Sequence, residues 1–244
     1  MPEETLIIKA GSKQTVWEDA PISRQIIVES GAKLLHYRLQ EMPLTQTNNS
    51  ETIIEVQENA VYESFILQTG AEKSFLKTVV NLVGEKASAF IGGIYLAAGK
   101  QKLRLETEVY HKAENTISEQ QVRGVAADNA EGEFVGLIDV AGGVKAIIGN
   151  QMHKALMLSE TAGVKCVPEL AIASEDVKCT HGSSIGMLDE NQLFYLQSRG
   201  IPLSQARFIL TSAFLAEILN TITEENCLQN FRQKVETWLF VNMK

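Results

Sequence analysis

Between Gly31 and Thr180 the chain breaks into short apolar runs separated by turn signals every 10–20 residues. Ser30-Gly31-Ala32, Glu58-Asn59-Ala60, Thr69-Gly70-Ala71, Gly84-Glu85-Lys86, Ala98-Gly99-Lys100 and Ala113-Glu114-Asn115 open the series. Asp128–Gly132, Gly142-Gly143, Ala162-Gly163 and Ser174-Glu175-Asp176 continue it. Such spacing favours an all-β fold over units that place a helix between strands. Lys102–Lys112 is the cleanest strand: Leu103, Leu105, Thr107 and Val109 fall on one face, Lys102, Arg104, Glu106 and Glu108 on the other. No Asn-Gly or Asp-Gly dipeptide occurs, which weakens a meander of tight hairpins. Corners of Gly-Ala and Glu-Asn-Ala type between runs of similar length suit a β-helix, whose coils stack small corner residues on one another. On pattern alone, sandwich and barrel stay open.

Past residue 186 the period changes. Asp189 followed by Gln192 predicts a capped helix over Glu190–Ser198, closed by Gly200 and Pro202. Leu203–Ile222 is apolar on nearly every side and asks for burial on two faces. Glu224–Phe240 carries Leu228, Phe231, Val235, Trp238 and Leu239 along one stripe, and Val241–Lys244 reads as a frayed end. The expected organisation is a mainly β core over residues 1–186 and a helical segment over 187–244. Residues 1–29 hold two short apolar runs around a polar stretch.

A net charge of −8 argues against nucleic acid or an anionic membrane as partner. The acidic start Met1-Pro-Glu-Glu has no signal-peptide pattern, and the longest apolar stretch, Phe208–Leu219, is too short to span a bilayer. Three widely spaced cysteines do not form a disulfide framework, so a reducing cytoplasmic setting is expected.

Cys179 and His181 sit two residues apart on a strand-like stretch, so their side chains share a face. A thiol and an imidazole can bind a soft or borderline metal, but a tetrahedral site needs two further ligands, which a second chain could supply. The competing reading is that Val177, Cys179 and His181 are packed core. Cys166 and Cys227 read as packed thiols, His111 as a satisfied interior residue, His153 as surface or interface, and His36 shows no partner. No Gly-Lys-Ser/Thr occurs, so ATP binding by this chain is not expected.

Lys178-Cys179-x-His181-Gly182, followed by Asp189-x-x-Gln192-Leu193-Phe194-Tyr195-Leu196-x-Ser198-Arg199-Gly200-Ile201, resembles the signature of the SufB/SufD family, the scaffolds of SUF-type iron–sulfur cluster assembly. The resemblance implies a right-handed parallel β-helix followed by helices. It also implies that His181 and Cys179 are candidate ligands at a subunit interface, holding iron or a cluster transiently. The B-type scaffolds carry a cysteine in the region that here reads Gln151–Leu158; this chain has none, and so resembles the D-type. That implies a non-enzymatic subunit acting with a SufB-like scaffold and a SufC-like ATPase, with a homodimer in the scaffold's absence. The helices would dock the ATPase, with Arg199, Arg207, Phe214 and Glu217 as candidate contacts. Members commonly carry a long helical N-terminal segment; here only about 30 residues precede the strand pattern. Two other functions are weighed beside this: a β-helix carbohydrate-active enzyme, and a purely structural interaction module. The former needs clustered acids, and neither Glu106 and Glu108 nor Asp139 make a recognisable pair.

Overall fold

In the computed structural model, which describes residues 5–19 and 22–243, strands and turns alternate until Gly186 and helices follow. The strands are β1 (Thr5–Ile8), β2 (Lys13–Asp19), β3 (Arg24–Val28), β4 (Lys33–Met42), β5 (Thr47–Val56), β6 (Val61–Gly70) and β7 (Lys73–Leu82). They continue as β8 (Ser88–Ala97), β9 (Lys102–His111), β10 (Ile117–Ala126), β11 (Glu131–Val140), β12 (Ile147–Met157), β13 (Gly163–Ile172) and β14 (Val177–Gly186). Odd-numbered strands form one seven-stranded sheet and even-numbered strands another, and all the pairs are parallel. Each coil of two strands therefore stacks on the one before it, giving an all-parallel β-solenoid. All ten turn signals fall at junctions between strands, three of them (Thr69–Ala71, Asp128–Gly132 and Ala162-Gly163) overlapping a strand end.

The corners explain the regularity. Gly11, Gly31, Asn59, Lys86, Asn115 and Ala146 stand two residues before or at the same place ahead of the even strands, with φ between 56° and 69°. Glycine and asparagine tolerate this left-handed conformation best. Backbone hydrogen bonds join corner to corner, as from Gly31 N to Glu58 O (2.8 Å) and Asn59 N to Glu85 O (2.9 Å). Ala32, Ala60 and Ala87 stack, fully buried, beside them. At the corner before β12, Ala146 N donates to the side-chain carboxylate of Asp176 in the next corner (3.0 Å).

The two sheets differ on their outer faces. β5, β7, β9 and β11 alternate buried and part-exposed residues, because their outer side meets solvent. There Lys77 bridges Glu106 and Glu108, and Arg104 bridges Glu106 and Glu133. β4, β6 and β8 are buried on both faces. Their outer residues Tyr37, Leu39, Phe65, Leu67, Ile94 and Leu96 form one core with α2 (Leu203–Leu219) and α3 (Glu225–Asn242). Phe231 of α3 is fully buried against Trp17 (ring centroids 4.9 Å) and Phe65 (5.0 Å). The helices thus lie along the flank of the even sheet and do not cap its open end.

Several expectations are corrected. Residues 5–28 are not a segment before the solenoid; β1–β3 form its first coils, pairing with β4 and β5. The C-terminal residues are not frayed: α3 runs to Asn242 and Met243 is buried in the helical core. Met1-Pro-Glu-Glu and Lys244 lie outside the described residues. His36 does have partners, Tyr62 Oη at 3.1 Å and Glu18 at 3.2 Å, inside the solenoid. His153 is not on the surface but fully buried, its Nε2 3.0 Å from Tyr95 Oη. The Tyr95 ring reaches into the next coil because Gly124 leaves it room: a Cβ there would lie 2.0 Å from the ring. His111 is interior and satisfied, as expected, by Thr116 and Ser118 (both 2.8 Å).

Candidate functional site

β14 and β13 are the last strands of their sheets, so the solenoid ends in an open coil with two unpaired edges. Cys179 and His181 occupy the inward face of β14, in register with Gly149 and Gln151 of β12. The sulfur of Cys179 packs beside Ile138 and Leu170. Gly149 makes that possible, since a Cβ on it would sit 3.2 Å from the sulfur. Burial pushes the Cys179 thiol up, opposed in part by the Gly149 backbone N–H. The neighbouring imidazole of His181 is exposed, because no further coil covers this face. One face therefore holds a half-buried thiol and an open imidazole, beside a strand edge whose backbone groups can still pair.

Two donors spaced i and i+2 cannot enclose a tetrahedral metal. Among the described residues no three His, Cys, Asp or Glu side chains gather into a metal site. Anything held here needs ligands from beyond this strand. Cys166, on β13, and Cys227, on α3, are half-buried thiols, each packed against a hydrophobic cluster.

The helical candidates are separated by the structure. α1 (Glu190–Ser198) has the bounds its sequence predicts, with the Asp189 carboxylate accepting from Asn191 N (2.8 Å). None of its residues is fully buried: Phe194 and Tyr195 face solvent, and Arg199 lies over the Tyr195 ring at 5.4 Å. Arg207 is half-buried on α2. Phe214 packs on the helical core beneath the guanidinium of Arg123, 5.8 Å from the ring. Glu217 reaches back to the solenoid, 2.9 Å from Arg123 and 3.8 Å from Lys154. It therefore fastens α2 to β10 and β12. Arg123 itself reads in the sequence as a surface charge; only the helix laid over the even sheet buries it.

Between α2 and α3 runs an apolar groove of about 520 Å³ lined by Ser204, Gln205, Phe208, Ile209, Phe240 and Met243. Phe240 is 76% exposed. Its signal in the sequence was an aromatic residue off the stripe that Phe231, Val235 and Leu239 define.

Fold and site together define a β-solenoid protein with an open terminal coil bearing soft-metal donors and an apolar helical flank. The chain belongs to the SufB/SufD family: the model described as SUF system FeS cluster assembly, SufBD core domain, matches residues 7–214. It is 28% identical to the iron–sulfur cluster assembly protein SufD of Escherichia coli, over 86% of this chain and 50% of that one. It is 27% identical to the chloroplastic protein ABCI7 of Arabidopsis thaliana, over 87% and 45%, and 29% identical to SufD of Bacillus subtilis, over 66% and 37%. The chain thus spans about half the length, or less, of the curated relatives it matches.

Proposed function

We propose that this protein is a non-enzymatic, SufD-like scaffold subunit of iron–sulfur cluster assembly, working in the cytoplasm with a SufB-like scaffold and a SufC-like ATPase. The observation that carries this reading is the placement of His181 and Cys179 on the last strand, whose outer edge is unpaired, incomplete as a metal site and open to a second chain. A partner strand added along β14 would bring the missing ligands to this face, so that iron or a nascent cluster is held as cargo between subunits. Without a B-type partner the same edge would pair with a second copy across a two-fold axis. The ATPase would dock on the helical flank, where the Phe208–Phe240 groove offers apolar contact and Arg207 and Arg199 offer charge. The carbohydrate-enzyme alternative fares worse. Glu106 is held below the usual carboxylate range by Arg104 and Lys77 against the upward push of burial, so it lacks the raised pKa of a general acid.

Affinity capture of the tagged chain with a SufB-like scaffold and a SufC-like ATPase, followed by anaerobic reconstitution and iron and sulfide analysis, tests the proposal. A stable complex that loads both elements supports it. Failure of the chain to bind either partner refutes it.

A further inference from the structure

The interior of the last coil carries more than the Cys179–His181 pair. Cys166 faces inward from β13, stacked on Phe134 of the coil below; burial pushes its thiol up, opposed in part by Ser183 of β14. Ser183 Oγ lies 3.4 Å from His153 Nδ1, and His153 Nε2 lies 3.0 Å from Tyr95 Oη. Ser183, His153 and Tyr95 make one line of hydrogen bonds running from the last coil to a residue of β8, three coils inward. The line can align as Tyr95 O–H to His153 Nε2 and His153 Nδ1–H to Ser183, which leaves the Ser183 O–H free to donate into the last coil. Ser183 is two residues from His181, so both strands that close the coil present donor atoms to the same interior.

A second observation comes from the floor of this space. Gln120 and Gln151 are neighbours in one inward column. Gln120 is satisfied: its amide oxygen accepts from Thr107, and its nitrogen donates to Leu137 O at 3.2 Å. In the next two coils the position of Thr107 is taken by Gly136 and then Pro168, neither with a hydroxyl. The Gln151 amide fills the gap over Gly136, where a Cβ would lie 1.4 Å from its nitrogen. It is 2% exposed, both of its polar atoms lack a partner, and the residue directly above it in register is His181. A buried amide left unpaired is costly, and the coil directly above it is the last one.

We propose that Cys166 is a second thiolate donor of this chain toward the iron–sulfur cargo, facing the Cys179–His181 strand across the interior of the last coil, with the Gln151 amide as a hydrogen-bonding floor. This rests on the scaffold reading above. A single ion would need all its donors within about 2.3 Å of one point, and they do not converge that way. Donors set on two walls suit a polynuclear sulfide cargo, whose several irons and bridging sulfides span such a gap and whose sulfides accept hydrogen bonds from an amide.

The test uses the complex reconstituted anaerobically with iron and sulfide. Loaded and unloaded complexes are treated with N-ethylmaleimide and each cysteine is followed by peptide mass spectrometry. Cys166 is expected to be modified in the unloaded complex and at least fivefold slower in the loaded one, while Cys227 reacts equally in both. Cys166→Ser, and Cys166→Ala as a second variant, should each retain less than half of the wild-type iron and sulfide with an unchanged thermal midpoint; Cys227→Ser should retain all of it. Equal modification of Cys166 in both states, or full cluster content in both variants, overturns the proposal while leaving the scaffold reading in place. A wild-type complex that loads no cluster overturns both.

Discussion

Glu217 offers the most quantitative test of how the helices are held. Among the described residues its carboxylate is the one acidic partner of Arg123, a guanidinium only 2% exposed, whereas Glu217 itself is 58% exposed. At about 3 Å the pair is worth roughly 1.4 kcal/mol if water screens it fully and roughly 5.5 kcal/mol at an effective dielectric of 20. Exposure of the carboxylate pulls the value toward the lower bound, and desolvation of Arg123 is incurred whether or not its partner is there. Glu217→Gln, which keeps an acceptor but removes the charge, should therefore cost about 1–2 kcal/mol. Glu217→Lys, which sets a cation against Arg123 and Lys154, should cost about 2–4 kcal/mol. For a chain of this size about 1 kcal/mol corresponds to roughly 2–4 °C in melting midpoint. Equilibrium urea unfolding of both variants, closed into a cycle with Arg123→Met, measures the coupling directly. A coupling energy within about 0.3 kcal/mol of zero would refute the argument that this pair fastens α2 to the solenoid. It follows that charge reversal at Glu217 is a poor probe of ATPase docking, and that Arg207→Glu is the cleaner one.

His181→Ala should change stability by no more than about 0.5 kcal/mol, as for other exposed side chains, yet abolish cluster loading by the reconstituted complex; loading at the wild-type level would remove His181 from the site. Phe231→Ala should cost about 3–5 kcal/mol, read by urea denaturation, because the ring is enclosed by Trp17, Tyr37 and Phe65; a loss under about 1 kcal/mol would place the helices off the even sheet. Burial holds His36, His111 and His153 at about 4, below their ordinary 6.5. The unfolded chain then binds more protons, so stability is full above about 6.5 and falls as pH drops toward 4, with a slope of up to about 4 kcal/mol per pH unit for three histidines. A urea midpoint that stays level between pH 7 and pH 5 would contradict their burial as neutral rings. Gly124→Ala should destabilise by displacing Tyr95 from His153, visible as a lower melting midpoint; an unchanged midpoint would show that the ring can give way freely.

What the sequence by itself determined is local and periodic. From Ser30 onward the turn signals place every corner but the one between β4 and β5, because glycine, asparagine and a following alanine are what a left-handed, tightly stacked corner demands. The bounds of α1 follow from Asp189 and Gly200, and the Cys179–His181 face follows from strand alternation. Tertiary structure decided everything that depends on which face meets what. β4, β6 and β8 are buried on both sides because α2 and α3 cover them, a fact no strand carries alone. Arg123, His36 and His153 read as ordinary polar residues until a helix, or the next coil, closes over them. His181 is exposed because no coil lies above β14, and Gln151 is unpaired because Gly136 and Pro168 stand where Gln120 finds Thr107. A one-dimensional pattern specifies how each coil is made, but only the stack decides which residues are left at its end.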